Sequence, residues 1–447
     1  MPATVLTGLQ WGDEGKAKVI DVLTQLFDIV VRYQGGANAG HTTVTEEFGK
    51  IVFHLIPSGI LYPDKTCVIA NGVLTDTEQL LLEIEELKEK GVSVEGRLKV
   101  SDRSHVVLPY HKILDRAADI KRGIGTTGRG MGPGYGDKYA RIGLRAGDLA
   151  NLDRLSKKIT AKKDDLDALM RLHMDTPKLQ EELMEILAKH GLDKYYSPDT
   201  GFNLELIVGE LKPQAVELMP FITDTVVYLN TALDSGKDVL FEGAQGALLD
   251  IDFGTYPYCT PSNSDATGVS AGSGIAPTRI DHIIGLMKAY ITRVGGGPCP
   301  TESDDEIGEK LREQGGEYGA TTGRPRRCGW FDAVATRHAA RYNHPDSFII
   351  TKLDVLKGID PLKICTAYEL DSKRIEHFPA DIEDLAKCKP LYEEMPGFHE
   401  DIRGAREFES LPENAQKYVN RIKELVSKEA TIRMISTGPG REERIDL

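Results

Sequence analysis

Cysteine is scarce and scattered. Six thiols (Cys67, Cys259, Cys299, Cys328, Cys365 and Cys388) stand far apart in 447 residues with no CxxC pair. Separate reduced thiols are expected, and a zinc site is not. No run of about 18 apolar residues occurs, so no membrane span is expected. Basic charge is not in excess: 55 Lys and Arg face 69 Asp and Glu, for a net charge of −14. That balance speaks against a general nucleic-acid binder, although local arginine clusters can still hold a small anion. There is no internal repeat, no low-complexity tract and no obvious linker. The opening MPATVLTGLQWGDEGK has neither the basic region nor the apolar core of a signal peptide, so a cytoplasmic protein is expected.

What remains is an ordinary soluble composition, 40% hydrophobic. Length alone suggests two or three domains, but the pattern reads as one unit. Thr4 to Leu9 is a short apolar stretch. Lys16 to Phe27 follows with helical spacing, placing Val19, Val22, Leu23 and Leu26 on one face. Asp28 to Tyr33 returns as a strand, and a β–loop–α–β opening favours a parallel sheet. A second helix is expected from a capping box at Thr75 to Glu78 to near Gly91. Asn151 to His190 reads as helical, and so does Phe202 to Asp234, interrupted by Pro213 and Pro220. Asp238–Phe241, Ile283–Val294, Ser347–Ile350 and Thr431–Ile435 read as strands. The fold class expected is α/β: a large, mostly parallel central sheet with helices on both faces and helical insertions. Residues 1–447 then form one unit, with insertions near 151–235 and a C-terminal portion near 345–447. Strand after strand ends in a loop rich in Gly, Asp, Thr, Arg or Lys, and open α/β sheets bind ligands beyond those ends.

Gly8-Leu-Gln-Trp-Gly12-Asp13-Glu14-Gly15-Lys16 offers backbone N–H groups and a helix start, which suit a phosphate. It is not a Walker A loop, because Gly8 stands too far from Gly15 and Ala17 replaces the Ser/Thr that would hold magnesium. A tight strand-to-helix turn is the alternative. Asp13 would repel a phosphate, and a carboxylate there makes sense as a magnesium ligand or a base. Gln34 to Thr42 is a second glycine loop in which Asn38 and His41 supply hydrogen bonds. Gly123 to Gly134, followed by Asp137, Lys138 and Arg141, reads as a phosphate cradle or a flexible surface loop. Gln245 can both donate and accept, which suits a purine edge as well as a buried turn. Arg324, Arg326 and Arg327 lie behind Thr321 and Thr322. Three such charges are costly unless an anion meets them, and arginine forks match carboxylates. Thr351-Lys352-Leu-Asp354 after a strand has the form of a guanine-reading TKxD element, and Ser436-Thr437-Gly438 could close over the base.

These loops, in this order, resemble adenylosuccinate synthetases over nearly the whole chain, from about Val5 to Arg441. The most specific pieces are GLQWGDEGK, VRYQGGANAGHT, HLIPSGIL, GTTGRGMGPGYGDKYAR, FEGAQGALLDIDFGTYPY, GATTGRPRRCGW and TKLDVL. The resemblance implies a ligase that joins L-aspartate to IMP with GTP through 6-phosphoryl-IMP, in AMP biosynthesis. It implies Mg2+ held by Asp13 and the Gly40 carbonyl, and catalysis by Asp13, His41 and Gln245. GTP would be held by Gly12, Asp13, Glu14, Gly15, Lys16, Ala17, Lys18, Gly40, His41, Thr42, Lys352, Asp354, Ser436, Thr437 and Gly438. IMP would be held by Asp13, Asn38, Ala39, Thr127, Gln245, Thr260 and Arg324, with Arg141 reaching in from the second subunit of a homodimer. Aspartate would be held by Val294, Thr321, Thr322, Arg324 and Arg326. No nucleic acid or membrane partner is implied.

The sequence departs from the family pattern in three places. Ala17 stands for a glycine in the phosphate loop, Phe253 for a histidine, and Ser264-Asp265-Ala266-Thr267 for Thr-Thr-Ala-Gly. Two rival readings are a related ligase acting on a guanine nucleotide and a GTP-binding regulatory protein. Viral relatives of the first kind lack the aspartate at the position of Asp13. The second has no use for Gln245 and the arginine loop.

Overall fold

The computed structural model describes residues 3–45, 47–319 and 323–447. Among them the main sheet has ten strands. In spatial order they are Ile222–Thr223, Leu98–Ser101, Thr66–Ile69, Ile29–Arg32, Val239–Glu242, Ala3–Gly8, His282–Lys288, Ser347–Thr351, Thr431–Ser436 and Arg444–Asp446. Neighbours run parallel until the last pair, which is an antiparallel hairpin. The large, mostly parallel sheet is as expected.

Alternation along the strands divides the core. Leu6, Val30, Leu240 and Ile284 enter one apolar cluster with Val19, Ile20 and Leu23 of the helix Lys16–Thr24. Their strand neighbours Val5, Val31, Val239 and Phe241 enter another, against Leu229, Ala232 and Leu233 of the helix Thr225–Asp234. Successive side chains of a strand face opposite ways, so the helices cover both faces. The helices from Leu152 to Leu218 gather on a cluster of their own with Tyr110 and Ile113. A further cluster joins Leu9 and Trp11 to the C-terminal portion.

Four local expectations are corrected. The first helix stops at Thr24, so Leu26 is exposed rather than on the apolar face. The second helix, Thr77–Glu89, is capped by Asp76, whose carboxylate accepts from Gln79 N at 3.3 Å. Thr75 lies in a short strand and its hydroxyl donates to Ser104, so it is not free to cap. Pro213 does not interrupt the helix Leu204–Leu218, because it lies on the exposed side while Leu211 and Ala215 stay buried. Ile283–Val294 is two pieces: His282–Lys288 in the main sheet, and Ile291–Arg293 paired with Arg327–Gly329. Among the described residues no helix is long and apolar enough to cross a membrane.

Candidate active site

The strand Ala3–Gly8 leads into a loop where Gly12, Asp13 and Gly15 all have positive φ, at 85°, 58° and 83°. Such angles are uncommon outside glycine, so Asp13 is held in a sparsely populated conformation. The Glu14 carboxylate is fully buried and folds the loop on itself. It accepts from Gln10 N at 3.2 Å and Gly12 N at 2.9 Å, and pairs with the Lys16 ammonium. Lys16 also donates to the carbonyl of Gln245. The neighbouring loop presses close: a Cβ on Gly246 would stand 2.3 Å from Gln10 O and 2.5 Å from Gly12 N. Lys18 extends from the same helix to Ser436 Oγ at 2.7 Å, Gly438 O at 2.6 Å and Glu443 O at 2.9 Å. Burial draws its pKa down to about 8. Lys18 thereby ties the helix after the phosphate loop to the C-terminal Ser436–Gly438 loop.

His41 starts a short strand and is buried. Its Nδ1 pairs with Glu242 Oε1, which also lies 3.5 Å from Arg32 Nη1. Arg32 and Glu242 are register partners at the ends of adjacent parallel strands, both wholly buried. Burial, then the Arg32 charge, lowers the His41 pKa. Burial would raise Glu242, but the charges of His41 and Arg32 hold it below the usual carboxylate value. The contact with Glu242 fixes the His41 ring and leaves Nε2 for a ligand. Thr42 is half-buried and Gly40 exposed beside it. The Ala39 carbonyl is engaged by His54 Nδ1 at 2.6 Å.

Among the described residues several buried polar atoms here have no hydrogen-bond partner, Arg32 Nε and Glu242 Oε2 included. The side-chain amide of Gln245 has both its oxygen and its nitrogen buried and unbonded, and so does the Asn38 carbonyl oxygen. Buried polar atoms are almost always hydrogen-bonded, so these three point to a ligand. Gln245, at φ 56°, is a second strained residue. Thr260 is buried, with its hydroxyl 3.3 Å from Ser262 Oγ. Thr127 lies exposed in a loop that the Asp119 carboxylate ties down through Gly125 N at 2.8 Å and Thr126 N at 3.1 Å.

Two arginines of the arginine loop, Arg326 and Arg327, meet protein carboxylates. Arg327 forms a bidentate pair with Glu302 and donates to Gly297 O at 2.7 Å. Arg326 reaches Asp13 Oδ2 with Nε at 2.9 Å and donates from Nη1 to Glu317 Oε2 at 2.6 Å. Arg324 and Val294 are exposed. Thr321 and Thr322 lie outside the described residues.

Lys352 takes a left-handed φ of 61° and donates to Gly315 O at 2.5 Å. Asp354 lines a cavity of about 220 Å³ with Gln314, Lys357, Asp401, Ile402 and Arg403. Burial raises its pKa. Thr437 is buried nearby in sequence to Gly438. Arg141 stands apart from these loops. It lines a second cavity with His105, Lys138, Tyr139, Gly143, Arg145, Asp148 and Lys158, of about 550 Å³.

Sequence reasoning missed Arg32, Glu242, Lys288 and Glu317. The signal was available for three of them: IVVR, VLFE and HIIGLMK are buried strands that each end on a charge. A charge at the end of a buried strand requires a partner or a ligand.

The family model for adenylosuccinate synthetase matches residues 5–445. The chain is 51% identical to the adenylosuccinate synthetase of Caldanaerobacter subterraneus subsp. tengcongensis, covering 100% of this chain and 99% of that one. It is 48% identical to that of Myxococcus xanthus, with the same coverage. Its fold is similar to the fully ligated adenylosuccinate synthetase of Plasmodium falciparum, with a TM-score of 0.87, 36% identity and full coverage of both chains. A cyanophage S-2L succinoaminodeoxyadenylate synthetase bound to dGMP and dATP shares the fold alone, at TM-score 0.58 and 19% identity, over 100% of this chain and 95% of that one.

Proposed function

Because the chain belongs to the adenylosuccinate synthetase family and joins L-aspartate to IMP with GTP in purine biosynthesis, we propose how its residues divide that chemistry. The oxygen on C6 of IMP is a poor leaving group. Asp13 takes the proton from N1, which makes that oxygen nucleophilic enough to attack the γ-phosphoryl of GTP. The products are GDP and 6-phosphoryl-IMP. The amine of aspartate then displaces phosphate at C6, giving adenylosuccinate. A well-placed base contributes about 10²–10⁴-fold.

The partnerless amide of Gln245 carries the reading. It adjoins the Asp13 loop, since its carbonyl holds Lys16, and an amide can meet a purine edge with donor and acceptor at once. Asn38, Ala39, Thr127, Thr260 and Arg324 hold the rest of IMP. Lys16, Lys18, His41, Thr42 and the Gly12–Gly15 backbone take the GTP phosphates, with His41 steadied by Glu242. Lys352, Asp354, Ser436, Thr437 and Gly438 take the guanine. Val294, Thr321, Thr322, Arg324 and Arg326 take aspartate.

Among the described residues no group of three or more His, Cys, Asp or Glu could hold a metal ion. Glu14 is spent on Lys16 and the loop backbone. One exposed carboxylate, Asp13, and the exposed Gly40 carbonyl suit Mg2+, which takes most of its ligands from phosphate and water. Bound there, it would neutralise charge on the transferring phosphoryl group. We also place Arg141 in the IMP site of a second subunit, and the protein in the cytoplasm on the family's biosynthetic role.

The test is product absorbance with GTP, magnesium, IMP and aspartate, each left out in turn. All four are expected to be required. The Asp13→Ala protein should lose synthesis while still binding GTP. Turnover with dGMP in place of IMP, or full turnover by Asp13→Ala, would overturn the assignment.

A further inference from the structure

Glu317 follows the C-cap of the helix Glu306–Gly315 and is wholly buried. Its Oε1 accepts from Lys288 Nζ at 2.9 Å and from the Tyr290 hydroxyl, and lies 3.7 Å from Lys352 Nζ. Its Oε2 accepts from Arg326 Nη1 at 2.6 Å. Burial would raise this carboxyl, but Lys288, Lys352 and Arg326 hold it at about 2. Three cations and a phenol thus converge on one buried anion. They come from separate places: Lys288 ends a central strand, Tyr290 follows it, Lys352 follows the next strand, and Arg326 belongs to the arginine loop.

Two of these cations reach out of the cluster in different directions. Arg326 continues to Asp13 through Nε. Lys352 begins the element that carries Asp354. Lys288 stays inside, with its ammonium also donating to Thr292 Oγ1. A carboxylate fixed by a buried lysine is a rigid anchor, because moving it would leave a charge unpaired in a low-dielectric interior.

We propose that Glu317 is the positioning residue that sets the aspartate-side Arg326 and the guanine-side Lys352 against one shared anchor, so that the aspartate and GTP sites depend on a single carboxylate. The proposal rests on the assignment of Arg326 to aspartate and of Lys352 to guanine. IMP is the substrate this cluster touches least: among the described residues Asn38, Thr127 and Thr260 share no hydrogen bond or ion pair with it, and Asp13 meets it only through Arg326.

The experiment is steady-state kinetics on the full chain, with KM measured for each substrate. Glu317→Gln keeps the shape and removes the charge. It is expected to raise the KM for aspartate by about tenfold, the loss of roughly one charged hydrogen bond, to raise the KM for GTP by a few-fold through the longer Lys352 ion pair, and to move the KM for IMP least. Should that protein fold poorly, Lys288→Met/Glu317→Gln removes both members of the buried pair and should show the same split. Arg326→Lys is the control and should raise the aspartate KM without raising that for GTP. A merely structural role would move all three KM values together or none, and either result overturns the proposal. If Arg326→Lys spares aspartate, the site assignment falls and the proposal with it. If Arg326→Lys acts as expected while the Glu317 variants leave GTP and aspartate untouched, only the shared anchor is wrong.

Discussion

Asp265 is an awkward residue for its surroundings. It is wholly buried, and its Oδ1 accepts from Thr267 N at 2.9 Å, Gly268 N at 3.2 Å and the Thr267 hydroxyl at 2.6 Å. Its Oδ2 is buried with no partner. Burial, then the nearby Asp250, pushes the carboxyl up from 3.8 to about 6. A carboxyl raised in the folded state is stabilising at low pH, and that contribution is lost as pH climbs from 3.8 through about 6. Asp265→Asn keeps the accepting oxygen and removes the ionisation. Its melting temperature should therefore match the parent near pH 4 and exceed it above pH 6, by an amount equivalent to about 1–2 kcal/mol. Equal melting curves at pH 8 would show that Oδ2 is satisfied after all. The same residue is one of the departures from the family pattern, so the variant also asks whether that departure reaches the IMP loop. Binding of IMP should be unchanged, because Thr260 and Gln245 are positioned by other contacts.

At the scale of elements, the helix Lys16–Thr24 carries another of the three departures, Ala17. Ala17 is half-buried in its first turn. The left-handed angles of the loop fall on Gly12, Asp13 and Gly15, not on Ala17. A methyl group is therefore tolerated there, and Ala17→Gly should leave the KM for GTP within about twofold while lowering stability by roughly 0.5–1 kcal/mol from the added backbone freedom. A large fall in KM would show that the methyl crowds the phosphates. Element boundaries illustrate what a sequence carries. Strands of the parallel sheet were readable because they are apolar on both faces and stop at glycine loops. Leu26 misled because periodicity cannot tell where backbone hydrogen bonding ends. Thr75 misled because its hydroxyl was already engaged by Ser104, a residue distant in sequence. Pro213 misled because a proline's effect depends on which side of the helix it occupies. Within the site, the glycine loops, Asp13, His41 and Asp354 could be read from local pattern. The Arg32–Glu242–His41 and Glu317 clusters could not, because each joins charges from segments distant in sequence that only the tertiary fold brings together.

At the scale of the whole molecule, the position of Arg141 decides the expected assembly. Its backbone is left-handed at φ 65°, and its side chain lines a basic cavity with Lys138, Arg145 and Lys158. Tyr139 and Ile142 beside it are 67% and 53% exposed, so an apolar rim flanks concentrated positive charge on a chain whose net charge is −14. Large exposed apolar side chains next to one another commonly mark an interface. None of the contacts that join the Asp13, His41 and Gln245 loops involves Arg141. The proposal that it holds IMP on a second copy is tested by complementation. Arg141→Ala and Lys16→Ala proteins should each be inactive, since one lacks the donated arginine and the other the phosphate-loop lysine. In a mixed dimer, one site combines an intact phosphate loop from the first with an intact Arg141 from the second. Equal mixing should then restore about a quarter of parental activity: half the dimers are mixed, and each has one good site of two. Recovery should develop at the rate of subunit exchange and vanish when the proteins are cross-linked as homodimers beforehand. Two inactive proteins that stay inactive after proven exchange would confine each site to a single chain, and the basic cavity would need another occupant.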